Sequence, residues 1–153
     1  MTQDGDGLRV LIVEDEAILA LEIELVLRDH GHEVVGAAMD CARALEIAAK
    51  TEGIDLAIVD LNLRDGPSGP EIARRLVSDH GVTVVFLTAN PELIPEGFAG
   101  AIGAMPKPFD DRAIVAIADF ARSFLRQRTV PPAPQRFRIA PWLLTPPAQI
   151  KPH

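Results

Sequence analysis

The chain has 153 residues, of which 48% are hydrophobic, and a formal net charge of −7 at pH 7. That length and apolar content suit one globular domain and exclude a disordered chain, while the negative charge argues against nucleic acid or an anionic membrane as partner. The polar, acidic residues 1–7 are expected to be disordered and are no secretion signal. No apolar run approaches the about 20 residues that span a bilayer. The single cysteine, Cys41, excludes an internal disulfide, so a soluble cytoplasmic protein is expected.

Leu8 to Val13 is an apolar run interrupted only by Arg9, the pattern of a strand covered on both faces. It stops at Glu14-Asp15-Glu16. Ala17 to Arg28 then carries Ile18, Leu21, Leu25 and Val26 at helical spacing, and Gly31 supplies the stop. Glu33 to Ala37 reads as a short strand, and Asp40 caps a helix to about Lys50 with Ala44, Leu45, Ile47 and Ala48 as its apolar face. Leu56 to Val59 is a buried strand that ends on Asp60, followed by a glycine-bearing loop from Asn62 to Pro67. Ser68-Gly69-Pro70-Glu71 reads as a capping box that opens a helix to about Asp79. Val82 to Leu87 is a fourth strand, ending at Thr88.

From Asn90 to Gly103, Pro91, Pro95, Gly97 and Gly100 leave room for a helical turn or two at most. Ala101 to Met105 forms a short strand that ends at Lys107-Pro108. Asp110 caps a last helix to about Arg126, with Ile114, Ile117, Ala118, Ala121 and Phe124 facing inward. Strand and helix therefore alternate, which argues for a parallel sheet with helices on both sides. Residues 127–153 form a distinct tail: seven of the thirteen prolines lie there, leaving little prospect of regular structure. Phe137, Ile139, Trp142, Leu143 and Leu144 nevertheless need apolar contacts, either on the chain's own surface or on a second copy in a homodimer.

Ligands of open parallel sheets bind beyond the carboxyl ends of the strands. Four predicted strands end in residues with chemistry: Glu14/Asp15, Asp60, Thr88 and Lys107. Carboxylates crowded there repel by about 4 kcal/mol per pair at 4 Å in an effective dielectric of 20. A hard divalent cation such as Mg²⁺ removes that conflict, and the sequence has no His/Cys set at zinc spacing. Beside such an ion, a carboxylate can act as nucleophile towards phosphorus, with Lys107 and the Thr88 hydroxyl stabilising the transferring oxygens. Glu14 has a plainer alternative role, as an acid favouring the dipole of the following helix. His30, His32, His80 and His153 read as turn or terminal residues without a catalytic role, and Phe98 and Phe109 as core packing.

The segments Val13-Glu14-Asp15, Val59-Asp60-Leu61-Asn62, Leu87-Thr88-Ala89 and Lys107-Pro108-Phe109, in that order at strand ends, resemble the receiver domain of two-component response regulators from about Leu8 to Arg126. The resemblance implies a flavodoxin-like, doubly wound α/β fold with a five-stranded parallel sheet in the order 2-1-3-4-5 and a short or remodelled fourth helix. It implies that Asp60 is the phosphoacceptor, Asp15 a direct Mg²⁺ ligand, Glu14 a ligand through water and Asn62 the donor of a backbone carbonyl to the metal. Thr88 is implied to follow the phosphoryl group, Ala89 to border its site, and Lys107 to pair with it. A cis Lys107-Pro108 bond is also implied. The partners implied are a sensor histidine kinase or a phosphotransfer protein, plus an unknown output protein, with no enzymatic turnover of its own.

Two positions depart from the family pattern. Receivers usually carry an aromatic residue three positions before the lysine, where this chain has Ala104, and it has no tyrosine at all. The segment Leu93-Ile94-Pro95-Glu96-Gly97-Phe98 resembles that of atypical, mostly stand-alone receivers. Output is then expected by protein–protein binding, phosphate relay or draining of a shared kinase. Two rival readings are a small Mg²⁺-dependent phosphatase, which needs a second acid where Asn62 stands, and a pseudo-receiver that binds partners without phosphorylation.

Overall fold

The computed structural model describes residues 7–63 and 68–144. Its centre is a sheet in which β1 (Arg9–Val13), β2 (Glu33–Ala38), β3 (Leu56–Asp60), β4 (Thr83–Thr88) and β5 (Gly103–Pro106) run parallel in the order β2-β1-β3-β4-β5. This is the expected flavodoxin-like arrangement. The central strands are apolar up to their carboxyl ends because both of their faces are covered: every residue of β3, Asp60 included, is buried. Helices α1 (Ala17–Asp29) and α4 (Asp111–Gln127) cover one face, packing Ile23, Leu27, Ile114 and Ile117 against Ile12, Ile58 and Leu87. On the other face, α2 (Cys41–Lys50) and α3 (Gly69–His80) pack Ile47, Ile72 and Leu76 against Leu11, Val59 and Phe86.

The predicted caps at Asp40 and Asp110 form, each carboxylate accepting a helix N–H, from Arg43 at 2.8 Å and Ala113 at 3.1 Å. The capping box at Ser68 does not: Ser68 has helical backbone angles and makes no side-chain cap, and the helix starts directly at Gly69 and Pro70. Its start is set by close packing instead. A Cβ on Gly69 would lie 2.6 Å from the Leu61 carbonyl oxygen and 2.7 Å from that of Asp60, so glycine lets α3 approach the end of β3.

Helix α1 departs from its predicted face. Ala20, Ile23 and Leu27 are buried, whereas Ile18, Leu21 and Leu25 are 84%, 54% and 57% exposed. The helix is apolar on more than one side, and a 3.6-residue period does not say which side meets the sheet. Two 3₁₀ turns, Pro91–Leu93 and Glu96–Gly100, replace a fourth flanking helix, with Gly97, Phe98 and Ala99 in the left-handed region. Phe98 and Phe109 both pack against the core, but on opposite faces of the sheet.

The tail corrects the expectation of a five-stranded sheet and an irregular C-terminus. Arg138–Ile139 forms β6, antiparallel to β5, with Gly103 opposite Ile139 and Ala104 opposite Arg138. Phe137 is buried against Phe120, ring centroids 4.8 Å apart, and a 3₁₀ turn follows at Pro141–Leu144. Phe137, Ile139 and Leu143 thus pack on the chain's own core, while Trp142 and Leu144 stay largely exposed. His32, read as a turn residue, is buried and accepts the Leu8 N–H at Nδ1, 3.0 Å away, while His153 lies outside the described residues.

Candidate functional site

The carboxyl ends of β1, β3, β4 and β5 bring the predicted residues to one hollow. Glu14 and Asp15 follow β1, Asp60 closes β3, Thr88 closes β4, and Lys107 follows β5. All but Lys107 are nearly inaccessible to water, Glu14 at 1% exposure, Asp15 at 8%, Asp60 at 5% and Thr88 at 1%. Glu14, Asp15 and Asp60 each offer an oxygen within 4.8 Å of the others.

Backbone amides orient the acids. The Asn62 N–H donates to Asp60 Oδ1 at 3.0 Å, and the Glu16 N–H to Glu14 Oε2 at 3.0 Å. Lys107 Nζ lies 3.2 Å from both Asp60 Oδ2 and Glu14 Oε1, and 4.0 Å from Glu16 Oε2. Its backbone N–H donates to the Thr88 carbonyl at 2.7 Å, tying the end of β5 to the end of β4. The Thr88 hydroxyl accepts the Asn90 N–H at 2.8 Å. Lys107-Pro108 is cis. Ala89 is exposed at the rim.

The charges do not balance. Burial pushes the Glu14 carboxyl up to about 7, the Glu16 N–H opposing the rise and the Asp60 carboxylate adding to it. Burial also works against the Lys107 charge, but the carboxylates of Glu14 and Asp60 outweigh it and hold the ammonium above its ordinary value. Glu14 Oε1 is buried without a hydrogen bond, compensated by its ion pair with Lys107. Three acids, oxygen donors only, and an under-satisfied buried oxygen fit a hard divalent cation of the Mg²⁺ type.

Sequence reasoning missed Glu16, whose amide steadies Glu14, and Gly69, whose missing Cβ lets α3 close beneath Asp60. A glycine directly before the helix-starting proline was the available signal for the second.

A parallel sheet in this order, with acids, a hydroxyl and a lysine at its carboxyl edge, defines the class of receiver domains. Residues 10–119 match the response regulator receiver domain family, and the chain belongs to it. It is 32% identical over 123 residues to the phyllosphere-induced regulator PhyR of Methylorubrum extorquens, covering 78% of this chain and 46% of that protein. It is 34% identical over 137 residues to the transcriptional regulatory protein PdtaR of Mycobacterium tuberculosis, covering 84% of this chain and 64% of that one. The chain therefore spans about half to two thirds of the length of these relatives. Among solved structures, it is similar to the receiver domain of PhyR from Erythrobacter litoralis, with a TM-score of 0.68, 29% identity, and 86% of this chain and 100% of that one covered.

Proposed function

We propose that this chain is a phosphoacceptor of two-component signalling, with Asp60 taking a phosphoryl group from the phosphohistidine of a sensor histidine kinase or phosphotransfer protein. One observation carries the reading: Asp60 is buried beside two further acids, yet both its oxygens are engaged, one by the Asn62 N–H and one by Lys107. A carboxylate held this way is oriented and desolvated for attack. Its oxygen forms a bond to phosphorus, the P–N bond breaks, and the electron pair returns to the imidazole nitrogen of the donor. Lys107, already paired with Asp60, would balance the charge on the phosphoryl oxygens, and the hydroxyl of Thr88, which ends the neighbouring strand, would donate to one of them. Asp15, Asp60 and the Asn62 carbonyl would hold Mg²⁺ directly, and Glu14 through water. A bound ion would supply charge neutralisation among these carboxylates and Lewis-acid stabilisation of the transferring phosphoryl group.

The phosphodonor must reach the rim of this hollow. Ile18 lies two residues beyond Glu16 and opens the exposed apolar stripe of α1 with Leu21 and Leu25, the face we assign to the donor. The family relation and the relatives' names as regulators support a signalling role carried by protein–protein contact. Incubation with acetyl phosphate and Mg²⁺, read by intact mass, tests the acceptor. An increment of about 80 Da that vanishes in Asp60→Asn is expected. No increment in the wild-type chain overturns the reading.

A further inference from the structure

The segment that adds β6 is fastened along the strand that delivers Lys107. Arg136 Nη1 donates to the Pro108 carbonyl at 2.7 Å, one residue beyond Lys107. The pairs Gly103–Ile139 and Ala104–Arg138 follow. The Ala140 N–H then donates to the Ile102 carbonyl at 2.9 Å, and the Trp142 indole N–H to the Ala101 carbonyl at 2.8 Å. We propose that Arg136–Leu143 is a regulatory strap, docked on β5 while Asp60 is unmodified and released when Asp60 carries a phosphoryl group. This inference rests on the phosphoacceptor reading above.

The strap has a shaped seat. A Cβ on Gly103 would lie 2.3 Å from the Phe137 ring, so the glycine opens the space the ring fills against Phe120. Ala104 and Ala140 are both buried in the cluster that holds Phe86 and Phe98. The place where an aromatic is usual in receivers is thus roofed by the strap. The seat is also a light one. The strand pairing spans two residues, and Trp142 remains 44% exposed. Val130 to Pro134 has no regular structure, and its prolines keep the connection extended, so a released strap stays near its seat.

The coupling runs through Lys107. Its ammonium is shared equally between Asp60 and Glu14, and its backbone N–H holds Thr88. A phosphoryl group on Asp60 adds oxygens that draw both the ammonium and the Thr88 hydroxyl towards it. Strand β5 has four residues, so a shift at its end reaches the Pro108 carbonyl and the pairs with β6 together. The strap supplies the element with two discrete arrangements that such coupling requires.

Trp142 is the single tryptophan and the chain has no tyrosine, so indole emission reports the strap alone. The full chain is treated with Mg²⁺ and acetyl phosphate, with intact mass, Trp142 emission and hydrogen exchange followed together. A red-shifted emission and at least tenfold faster exchange of the Ala140 amide, in step with the mass increment, are expected. Full-length Phe137→Ser and Arg136→Ala should start red-shifted and bind the phosphoryl mimic beryllofluoride, with Mg²⁺, severalfold more tightly, since linkage is reciprocal. A mass increment with unchanged emission and exchange overturns the strap and leaves the acceptor standing. Unchanged mimic affinity in both variants also overturns it. Absence of the increment overturns the acceptor reading and the strap with it.

Discussion

The Lys107 ammonium lies 3.2 Å from Oδ2 of Asp60, joining residues 47 positions apart in the chain. The same nitrogen is 3.2 Å from Glu14 Oε1, so one cation is shared by two buried acids. Stability at this edge of the sheet and the proposed phosphoryl transfer therefore draw on the same group.

Lys107→Met removes that cation and leaves the methylene stem's volume in place. Breaking the buried pair should cost about 3 kcal/mol in metal-free protein, measured by urea denaturation. Saturating Mg²⁺ should restore part of the loss by binding only the folded state. Phosphoryl uptake from acetyl phosphate, timed by intact mass, should slow by roughly 100-fold. A variant that takes up phosphate at the wild-type rate removes Lys107 from the transfer step.

The pH dependence of stability has two opposed components. Glu14 is raised from 4.5 to about 7 in the folded protein, so between those values the folded state holds a proton that the unfolded state has lost. Metal-free stability should fall as pH rises across that window, by about 3 kcal/mol from this group. Glu14→Gln should flatten that slope, and Mg²⁺ should do so in the wild type by favouring the carboxylate. His32 acts the other way. Burial lowers it from 6.5, with Arg122 adding to the shift, and its Nδ1 must stay unprotonated to accept the Leu8 N–H. The unfolded chain binds a proton below about 6.5 before the folded one does, so this contribution is present above that pH and is lost on acidification. Denaturation midpoints of wild type, Glu14→Gln and His32→Gln in chelator, compared by difference, separate the two.

Ile18 and Leu21 are 84% and 54% exposed on α1 and belong to neither core cluster of the described residues. Ile18→Glu and Leu21→Glu should leave thermal stability within about 0.5 kcal/mol of the wild type, as surface substitutions usually do. Phosphorylation by acetyl phosphate should be unchanged, while transfer from a phosphorylated kinase domain or phosphotransfer protein should fall by about tenfold or more. Equal loss with both donors would place the effect in the acceptor site instead of the docking face.

The strand ends were legible because a buried parallel strand is apolar until the position where it meets the ligand edge. Val13 to Glu14, Val59 to Asp60 and Leu87 to Thr88 each mark that change in one step. The caps at Asp40 and Asp110 were legible for the same local reason. Ser68 was not, because the start of α3 is decided by backbone packing of Gly69 on Asp60 and Leu61, residues that share no local pattern with it. Phe120 was missed on α4 because the residue that buries it, Phe137, comes from beyond the helix.

Local pattern alone thus determined an alternating α/β chain whose chemistry falls at strand ends, since periodicity and abrupt polarity changes are properties of neighbouring residues. Which side of α1 meets the sheet, and where the proline-rich tail goes, were decided only on folding. Helix phase is measured against a surface that other segments build, and a two-residue edge strand is too short to announce itself. Phe137 finds its seat because Gly103 has left one, and that fit exists only once both are in place.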